Sequence, residues 1–276
     1  MLEFAIIDFN LQHTLECGQA FRWQRHGDGY LGVIRDAIWQ VSQEGDTLFV
    51  ETDPPVSKET IVHYFSLDTN LPATVAPLQS DPILASALKE FWGLRILRQD
   101  PWECLGSYIF SSFNNVKRIT GLVENLSTRF GVPVGSNGTL RYVFPTPEKV
   151  AALTPTDLRP IRPGFRDRYL LETARKVAEG KFDLEKLREM ETAEAKEALL
   201  TLPGVGEKVA DCILLFAYGR EEVFPIDVWI ERALRKLYFH NRRRTLGKMQ
   251  RFAHRRFGEA AGYAQEYLYA YARRHL

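Results

Sequence analysis

Over residues 17–51 apolar and polar positions alternate with period two. Phe21 and Trp23, Leu31 and Val33, Trp39 and Val41, and Leu48 and Val50 each straddle one residue, with interruptions at Gly27-Asp28-Gly29 and Glu44-Gly45-Asp46. Alternation broken by glycine-containing triplets predicts an antiparallel meander with tight turns. After Lys58 the period lengthens. Ile61, Tyr64 and Phe65, then Ile83, Leu84, Ala87, Leu88 and Phe91, fall three and four apart, as on one face of a helix. Asp81-Pro82 has the form of an N-cap followed by proline and predicts where the second of these helices begins. From Trp102 onward the pattern predicts helices alone, broken at 131–138, Thr154-Pro155, Arg162-Pro163-Gly164, Leu202-Pro203-Gly204, Phe224-Pro225 and near Asn241. Neither an internal repeat nor a low-complexity segment interrupts this order. The fold class expected is α+β: an antiparallel sheet domain with helices over residues 1–99, then a helical region over residues 100–276.

Composition narrows the class. The 276 residues are 45% hydrophobic and 26% charged, enough apolar material for a core and a length compatible with two domains. A disordered or fibrous chain is excluded. No window approaches the roughly eighteen consecutive apolar residues of a membrane span, and the start Met-Leu-Glu-Phe-Ala-Ile-Ile-Asp lacks a basic region followed by a long apolar one. The expectation is a chain neither embedded in a membrane nor exported. Cys17, Cys104 and Cys212 are odd in number, far apart and in no CxxC pair, so neither a disulfide framework nor a zinc or iron-sulfur site is encoded. A reducing cytoplasm fits, and no metal or other cofactor is implied.

Charge is unevenly placed. Residues 1–100 hold 7 Lys and Arg against 14 Asp and Glu, and the remainder hold 29 against 21. A polyanionic partner would meet the second part. Between Arg232 and Arg256 stand ten Lys or Arg, two His and no acid. A solvated helix face with a basic loop, or contact with phosphates, accounts for such a run.

The segment Leu202-Pro203-Gly204-Val205-Gly206-Glu207-Lys208-Val209-Ala210-Asp211-Cys212 is the most informative. Two glycines after a proline let the backbone turn sharply between helices, and the second helix then starts with free N–H groups aimed outward. Such a turn is either an ordinary helix corner or a phosphate cradle. The helix dipole and the missing Cβ atoms at Gly204 and Gly206 would suit the second. Further on, Val223-Phe224-Pro225-Ile226-Asp227-Val228-Trp229 sets Asp227 directly before a helix with apolar positions Val228, Ile230, Ala233, Leu234 and Leu237. Asp227 is therefore predicted as its N-cap, a role compatible with catalysis.

From Gly18 to Tyr269 the chain resembles the helix-hairpin-helix superfamily of DNA base-excision glycosylases, in which a hairpin is followed about twenty residues later by an essential Asp. Within it the resemblance narrows to the 8-oxoguanine DNA glycosylases. Four segments carry it in order: Gly18-Gln19-Ala20-Phe21-Arg22-Trp23; Leu97-Arg98-Gln99-Asp100-Pro101 with Asn114-Asn115 and Arg118-Ile119-Thr120-Gly121; Leu202 to Cys212; and Pro225-Ile226-Asp227-Val228. The family implies a sheet domain, like TATA-binding proteins in outline, packed on two mostly helical subdomains that contain the hairpin at about 195–218, with the cleft between them. It implies a bifunctional enzyme that removes 8-oxoguanine from duplex DNA, preferably opposite cytosine, and cuts the strand by β-elimination. It also implies a monomer, at the nucleoid in a bacterial cell or in the nucleus of a eukaryotic one.

The resemblance assigns the residues. Lys208, in the first turn of the second hairpin helix, would be the nucleophile and Schiff-base former, its neutral amine favoured by the dipole and partial desolvation. Asp227 would stabilise the developing oxocarbenium charge and orient the amine. Gly18 would offer its carbonyl to the N7–H that oxidised guanine has and guanine lacks. Cys212 and Tyr269 would sandwich the flipped ring, with Gln265 reading its Watson–Crick edge and Pro225 lining the pocket. Gly204, Gly206, Val209 and Trp229 would meet the DNA backbone. On the other strand Arg118 and Arg166 would donate to the orphaned cytosine, with Phe165 as a wedge. Phe113-Asn114-Asn115 stands where the family often has three asparagines. Phe113 cannot make the hydrogen bonds of the first, though an aromatic ring can still plug the gap by stacking. Tyr269 replaces the phenylalanine, and Trp229 the histidine, of eukaryotic relatives. A monofunctional alkylated-base glycosylase would have no use for Lys208. A non-enzymatic hairpin module would leave Lys208, Asp227 and the Gly18 segment unexplained. The iron-sulfur relatives require a C-terminal array of four cysteines that this chain lacks.

Overall fold

The computed structural model describes residues 1–135 and 139–276, so the break predicted at 131–138 lies partly outside the described residues. In chain order the first elements are β1 (Leu2–Ala5), α1 (Leu11–Glu16), β2 (Gln24–His26), β3 (Gly29–Ile34), β4 (Ala37–Glu44) and β5 (Thr47–Asp53). Helices α2 (Lys58–Tyr64), α3 (Leu71–Val75), α4 (Pro82–Glu90), α5 (Pro101–Ile109) and α6 (Val116–Phe130) follow. A short pair β6 (Pro133–Val134) and β7 (Arg141–Tyr142) precedes α7 (Pro147–Ala151), α8 (Pro155–Leu158) and α9 (Arg166–Ala178). The chain ends in α10 (Thr192–Leu200), α11 (Glu207–Tyr218), α12 (Val228–Ala233), α13 (Leu246–Phe257) and α14 (Ala261–His275).

The meander forms as predicted, with one more strand. Five antiparallel strands run in the order β1-β5-β4-β3-β2. The turns fall at the expected glycines, Gly27 at φ 56° and Gly45 at φ 55°, and at Arg35-Asp36, where Arg35 takes φ 55° without a glycine to announce it. One face packs Tyr30, Trp39, Val41, Leu48 and Val50 against Ile61, Tyr64, Phe65 and Leu97. The other buries Leu31, Val33 and Ile38 under Val134 and Val143. Two expectations are corrected here. Residues 17–23 alternate in sequence but form no strand, because Phe21 joins the helical core while Trp23 lies flat on the sheet, over Gly32. The region after Trp102 is not helical throughout, since β6 and β7 pair as a small antiparallel ribbon that covers the sheet.

The helical part surrounds α11 and α14. Residues 209–217 are buried in α11, and Tyr263 and Tyr267 of α14 are wholly enclosed. Asp81 caps α4 as predicted, accepting from the amides of Ile83 and Leu84, with Pro82 at the first helical position. Although α3 and α4 follow the sheet in sequence, their apolar residues join the large helical core. Asp100 caps α5 in the same manner, and α5 lies on α11 with Tyr108 stacked on Phe216 at 5.6 Å. Among the described residues, no helix is long and apolar enough to cross a membrane.

Candidate active site

Helices α10 and α11 and the turn between them form the predicted hairpin. Gly204 takes φ 80°, and a Cβ there would stand 2.7 Å from Cβ of Tyr169, so both its conformation and its neighbour exclude a side chain. Gly206 differs. It caps α11 without a side-chain bond, and the space a Cβ would occupy is open. The first amide of α11 with a helical acceptor is that of Ala210, to the Gly206 carbonyl at 2.9 Å, so those of Glu207, Lys208 and Val209 have none among the described residues. Free amides beside an open flank at a helix start suit a phosphate oxygen. The Val209 side chain is buried, leaving its amide as its outward group. Behind the turn, Nζ of Lys196 meets Glu207 and the buried Asp211 at 2.8 Å each, and Gln250 donates to Asp211 at 3.1 Å, which ties α10, α11 and α13 together.

Lys208 is half-buried. Its Nζ donates to Oγ of Ser111 at 3.1 Å and stands 4.8 Å from the ring centre of Tyr108. The Ser111 hydroxyl gives its proton to the Tyr108 carbonyl at 2.6 Å, which leaves a lone pair for the lysine. Asp227 caps α12 as predicted, Oδ1 accepting from the Ile230 amide at 2.8 Å. Burial pushes its carboxyl above the usual carboxylate range, against the pull of the Ile230 amide and the Lys208 charge. One turn after Lys208, Cys212 is enclosed, and burial pushes its thiol up to about 12, so it is a neutral, polarisable surface.

Gly18 completes this cleft. It takes φ 99°, and a Cβ would lie 3.3 Å from Val116, 3.4 Å from Arg273 and 3.7 Å from Tyr269. Its neighbours hold it: Arg273 donates to the Cys17 carbonyl at 3.2 Å and Tyr108 Oη to that of Gln19 at 3.0 Å. Tyr269 lies under Arg273, 5.6 Å from the guanidinium carbon. Gln265 is buried with Oε1 unpartnered, and so is Oε2 of Glu266 beside it. Burial pushes the Glu266 carboxyl up to about 7, within electrostatic reach of Asp227 and Lys208. Buried acceptors without donors are rare and mark places where a ligand can supply them. Pro225 is buried two residues before Asp227. The structure thus brings Lys208, Asp227, Cys212, Gly18 and Tyr269 to one cleft, and adds Ser111, Tyr108 and Glu266, which carry no signature in the sequence. Among the described residues, no three His, Cys, Asp or Glu side chains come together as a metal site.

The second group surrounds the turn between α5 and α6. Phe113 takes φ 49° and its side chain is 97% exposed. Asn114 is turned to local bonds, donating to the Phe110 carbonyl at 2.9 Å and accepting from the Asn115 amide at 3.0 Å. Asn115 caps α6, whose first turn carries Arg118, exposed and unpaired among the described residues. Arg166 is turned inward, onto main-chain carbonyls. Phe165 is 46% exposed, 4.5 Å from the Arg166 guanidinium carbon. Trp229 is half-buried under Arg232 at the head of α12, beside an exposed Val228.

Comparison with known proteins identifies the family and the fold. Residues 1–105 match the family model described as 8-oxoguanine DNA glycosylase, N-terminal domain, and residues 107–259 match that of the HhH-GPD superfamily base excision DNA repair protein. A probable N-glycosylase/DNA lyase of Methanothermobacter thermautotrophicus is 33% identical over 97% of this chain and 94% of its own. The solved structure of MBOgg1 with a low-affinity DNA ligand superposes with a TM-score of 0.93 at 40% identity, covering 98% of this chain and 93% of that one. Clostridium acetobutylicum 8-oxoguanine glycosylase/lyase, bound to double-stranded DNA with cytosine opposite 8-oxoguanine, superposes at 0.91 with 33% identity, over 96% and 92%.

Proposed function

The chain belongs to the 8-oxoguanine DNA glycosylases of the helix-hairpin-helix base-excision repair superfamily, and from that premise we infer how its own residues carry the reaction. It is a bifunctional glycosylase and lyase that excises 8-oxoguanine from duplex DNA. We assign the nucleophile to Lys208. Its amine attacks C1′ of the flipped nucleotide, the C1′–N9 bond breaks, and the base departs with the bonding pair and the proton the amine sheds. The lone pair of the attached nitrogen then breaks C1′–O4′, opening the sugar ring, and O4′ takes up a proton as a hydroxyl; the protonated imine so formed acidifies the C2′ proton. Its loss expels the 3′ phosphate and cuts the strand.

The observation that carries this reading is the placement of Lys208 at the open end of the hairpin, its amine on Ser111 and within electrostatic reach of the half-buried Asp227. Asp227 sits where positive charge develops on the sugar, in surroundings that strengthen its field. Cys212 and Tyr269 take the two faces of the flipped base, the unpartnered Gln265 oxygen takes a donor on its edge, and the Gly18 carbonyl takes N7–H. The free amides of the hairpin and Trp229 hold the backbone of the lesion strand. Phe113 and Phe165 fill the space the base leaves, and Arg118 donates to cytosine opposite. The enzyme works as a monomer at the chromosome, in the nucleoid or the nucleus. Borohydride reduction during turnover tests the assignment: the parent becomes covalently attached to duplex carrying 8-oxoguanine, and Lys208→Gln neither attaches nor releases base while still binding the duplex. Attachment by the variant overturns it.

A further inference from the structure

The last turn of α14 carries three basic residues, and they point to different places. Nε of Arg274 meets one oxygen of Glu90 at 3.0 Å and Nε2 of His275 meets the other at 2.8 Å, which fastens the helix end to α4. Arg273 turns into the cleft instead. Its Nη1 donates to the Cys17 carbonyl at 3.2 Å and lies 3.4 Å from where a Cβ on Gly18 would stand, and its guanidinium carbon is 5.6 Å from the ring centre of Tyr269. Among the described residues Arg273 has no carboxylate partner, and the rest of its fork has no acceptor. A cation in the final turn suits the helix dipole whichever way it points, so the dipole does not account for a guanidinium laid beside the pocket glycine.

Gln265, Tyr269 and Arg273 follow one another four residues apart and so share one face of α14. Guanine and its oxidised form differ at two adjacent ring positions. Oxidation turns N7 from an acceptor into a donor, and it sets an oxygen on C8 where there was a hydrogen. The Gly18 carbonyl meets the first change and is indifferent to the second. A donor beside that carbonyl meets the second. O8 also takes part in bond breaking, because it is conjugated through C8 with N9. The electron pair left on N9 as C1′–N9 breaks therefore spreads on to O8 before N9 takes up its proton. A guanidinium at O8 faces a charge that grows toward the transition state.

We propose that Arg273 is a specificity-determining residue that donates to O8 of the flipped base while the Gly18 carbonyl accepts N7–H, so that the pair reads the oxidised edge and Arg273 stabilises the departing base. The proposal rests on the assignment of Lys208, Gly18 and Tyr269 given above. It differs in its consequences from a role in which Arg273 only holds the Cys17 carbonyl and so fixes Gly18. A holder of Gly18 serves any base with an N7–H. A reader of O8 serves only a base with an oxygen at that position.

Single-turnover excision from duplexes carrying 8-oxoguanine or 8-thioguanine opposite cytosine, by the parent, Arg273→Met and Arg273→Lys, decides between them. 8-Thioguanine keeps N7–H and replaces O8 by sulfur, a weak acceptor. Excision of 8-oxoguanine is expected to fall roughly tenfold to a hundredfold in Arg273→Met, the scale of one charge-assisted hydrogen bond. Excision of 8-thioguanine falls far less, so the parent's preference for oxygen over sulfur shrinks by most of that factor. Arg273→Lys keeps a charged donor and retains part of the preference. Cleavage at a preformed abasic site, which needs Lys208 and the duplex but presents no base, keeps the parent's rate in both variants. Undiminished excision of 8-oxoguanine by Arg273→Met, an equal fall for the two bases, or a matching fall at the abasic site overturns the proposal. The second of these outcomes would leave Arg273 as a holder of Gly18, and the third as a contact to the DNA backbone. Arg273 is exposed at the end of its helix, and Arg274 and His275 still fasten that end through Glu90, so both variants keep the fold. A parent that neither excises 8-oxoguanine nor cuts the abasic site refutes the assigned function, and the proposal falls with it.

Discussion

Lys208 and Phe113 lie on either side of Ser111, yet the ground under each is of a different kind. Lys208 opens a helix whose next nine residues are buried, and the groups around it, Asp227, Cys212 and Glu266, are governed first by desolvation. Phe113 stands at the apex of an exposed turn, and the cations near it are either in solvent or spent on carbonyls. On the first side, function resides in the electrostatics of a fixed, nearly dry cleft. On the second it resides in backbone shape and in one free guanidinium. Substitutions on the first side are thus expected to change how fast the bond breaks by one factor opposite every base, and those of the free guanidinium or of the apex residue on the second to change, besides the rate, which duplex is preferred.

The largest test of that division is Asp227→Asn. Asparagine caps a helix about as well as aspartate, so α12 keeps its start, while the half-buried negative charge is lost. Excision is expected to fall roughly a thousandfold, the scale seen when a preorganised group facing a developing charge is removed. Duplex affinity, and the relative rates opposite the four bases, should hold. Single-turnover rates with a parallel binding titration measure both. A variant within tenfold of the parent would mean that the Asp227 carboxylate does not set the chemistry.

Glu266 tests the dryness of the cleft through stability. Burial holds its carboxyl at about 7 in the folded chain against 4.5 ordinarily, with Asp227 pushing the same way and Cys17, Gln265 and Lys208 pulling back. The folded state therefore binds the proton more tightly than the unfolded one. Stability is undiminished below about pH 4.5 and falls as pH rises toward 7, by on the order of 3 kcal/mol in all. Glu266→Gln does not titrate. It is expected to match the parent near pH 4 and to exceed it by that amount near pH 8 in denaturant titrations. A difference that stays constant between these pH values would show the carboxyl to be solvated.

What could be read from the sequence follows the same division. Asp227 and Gly204 were legible because a cap and a left-handed glycine each leave a residue type at a fixed spacing, whereas Lys208 was singled out by the family resemblance of its segment. The meander was legible at Gly27 and Gly45, left-handed glycines again. Helix α1 and strand β1 were not, since six and four residues are too few to establish a period. Residues 17–23 misled because alternation records only that neighbours point to opposite sides, and Phe21 and Trp23 enter two different cores. Ser111 and Tyr108 could not have been found, because a hydroxyl in a turn and a ring inside a buried helix carry no signature until Lys208 is seen resting on them. Arg166 was legible as a residue and not as a set of contacts: nothing in a sequence reveals that a guanidinium will be used up by carbonyls.

The smallest expected effect is the sharpest probe of the turn. Phe113→Asn makes two changes there. Asparagine tolerates positive φ far better than phenylalanine, so the strain at φ 49° is relieved and the turn is retained. It also exchanges a ring, whose stacking is indifferent to base identity, for an amide that can hydrogen-bond. Loss of the ring is expected to slow excision to a similar extent opposite every base, because the vacated space is less well filled. The amide adds one neutral hydrogen bond to the cytosine side, worth about 0.5–1.5 kcal/mol, or roughly twofold to tenfold in rate. The ratio of the cytosine rate to the adenine rate should therefore rise by that factor even as both rates drop. Single-turnover excision opposite all four bases measures it. A ratio no higher than the parent's would mean that residue 113 only fills space and that the choice of opposite base is set elsewhere, whereas a rise would place part of that choice on the apex of the turn.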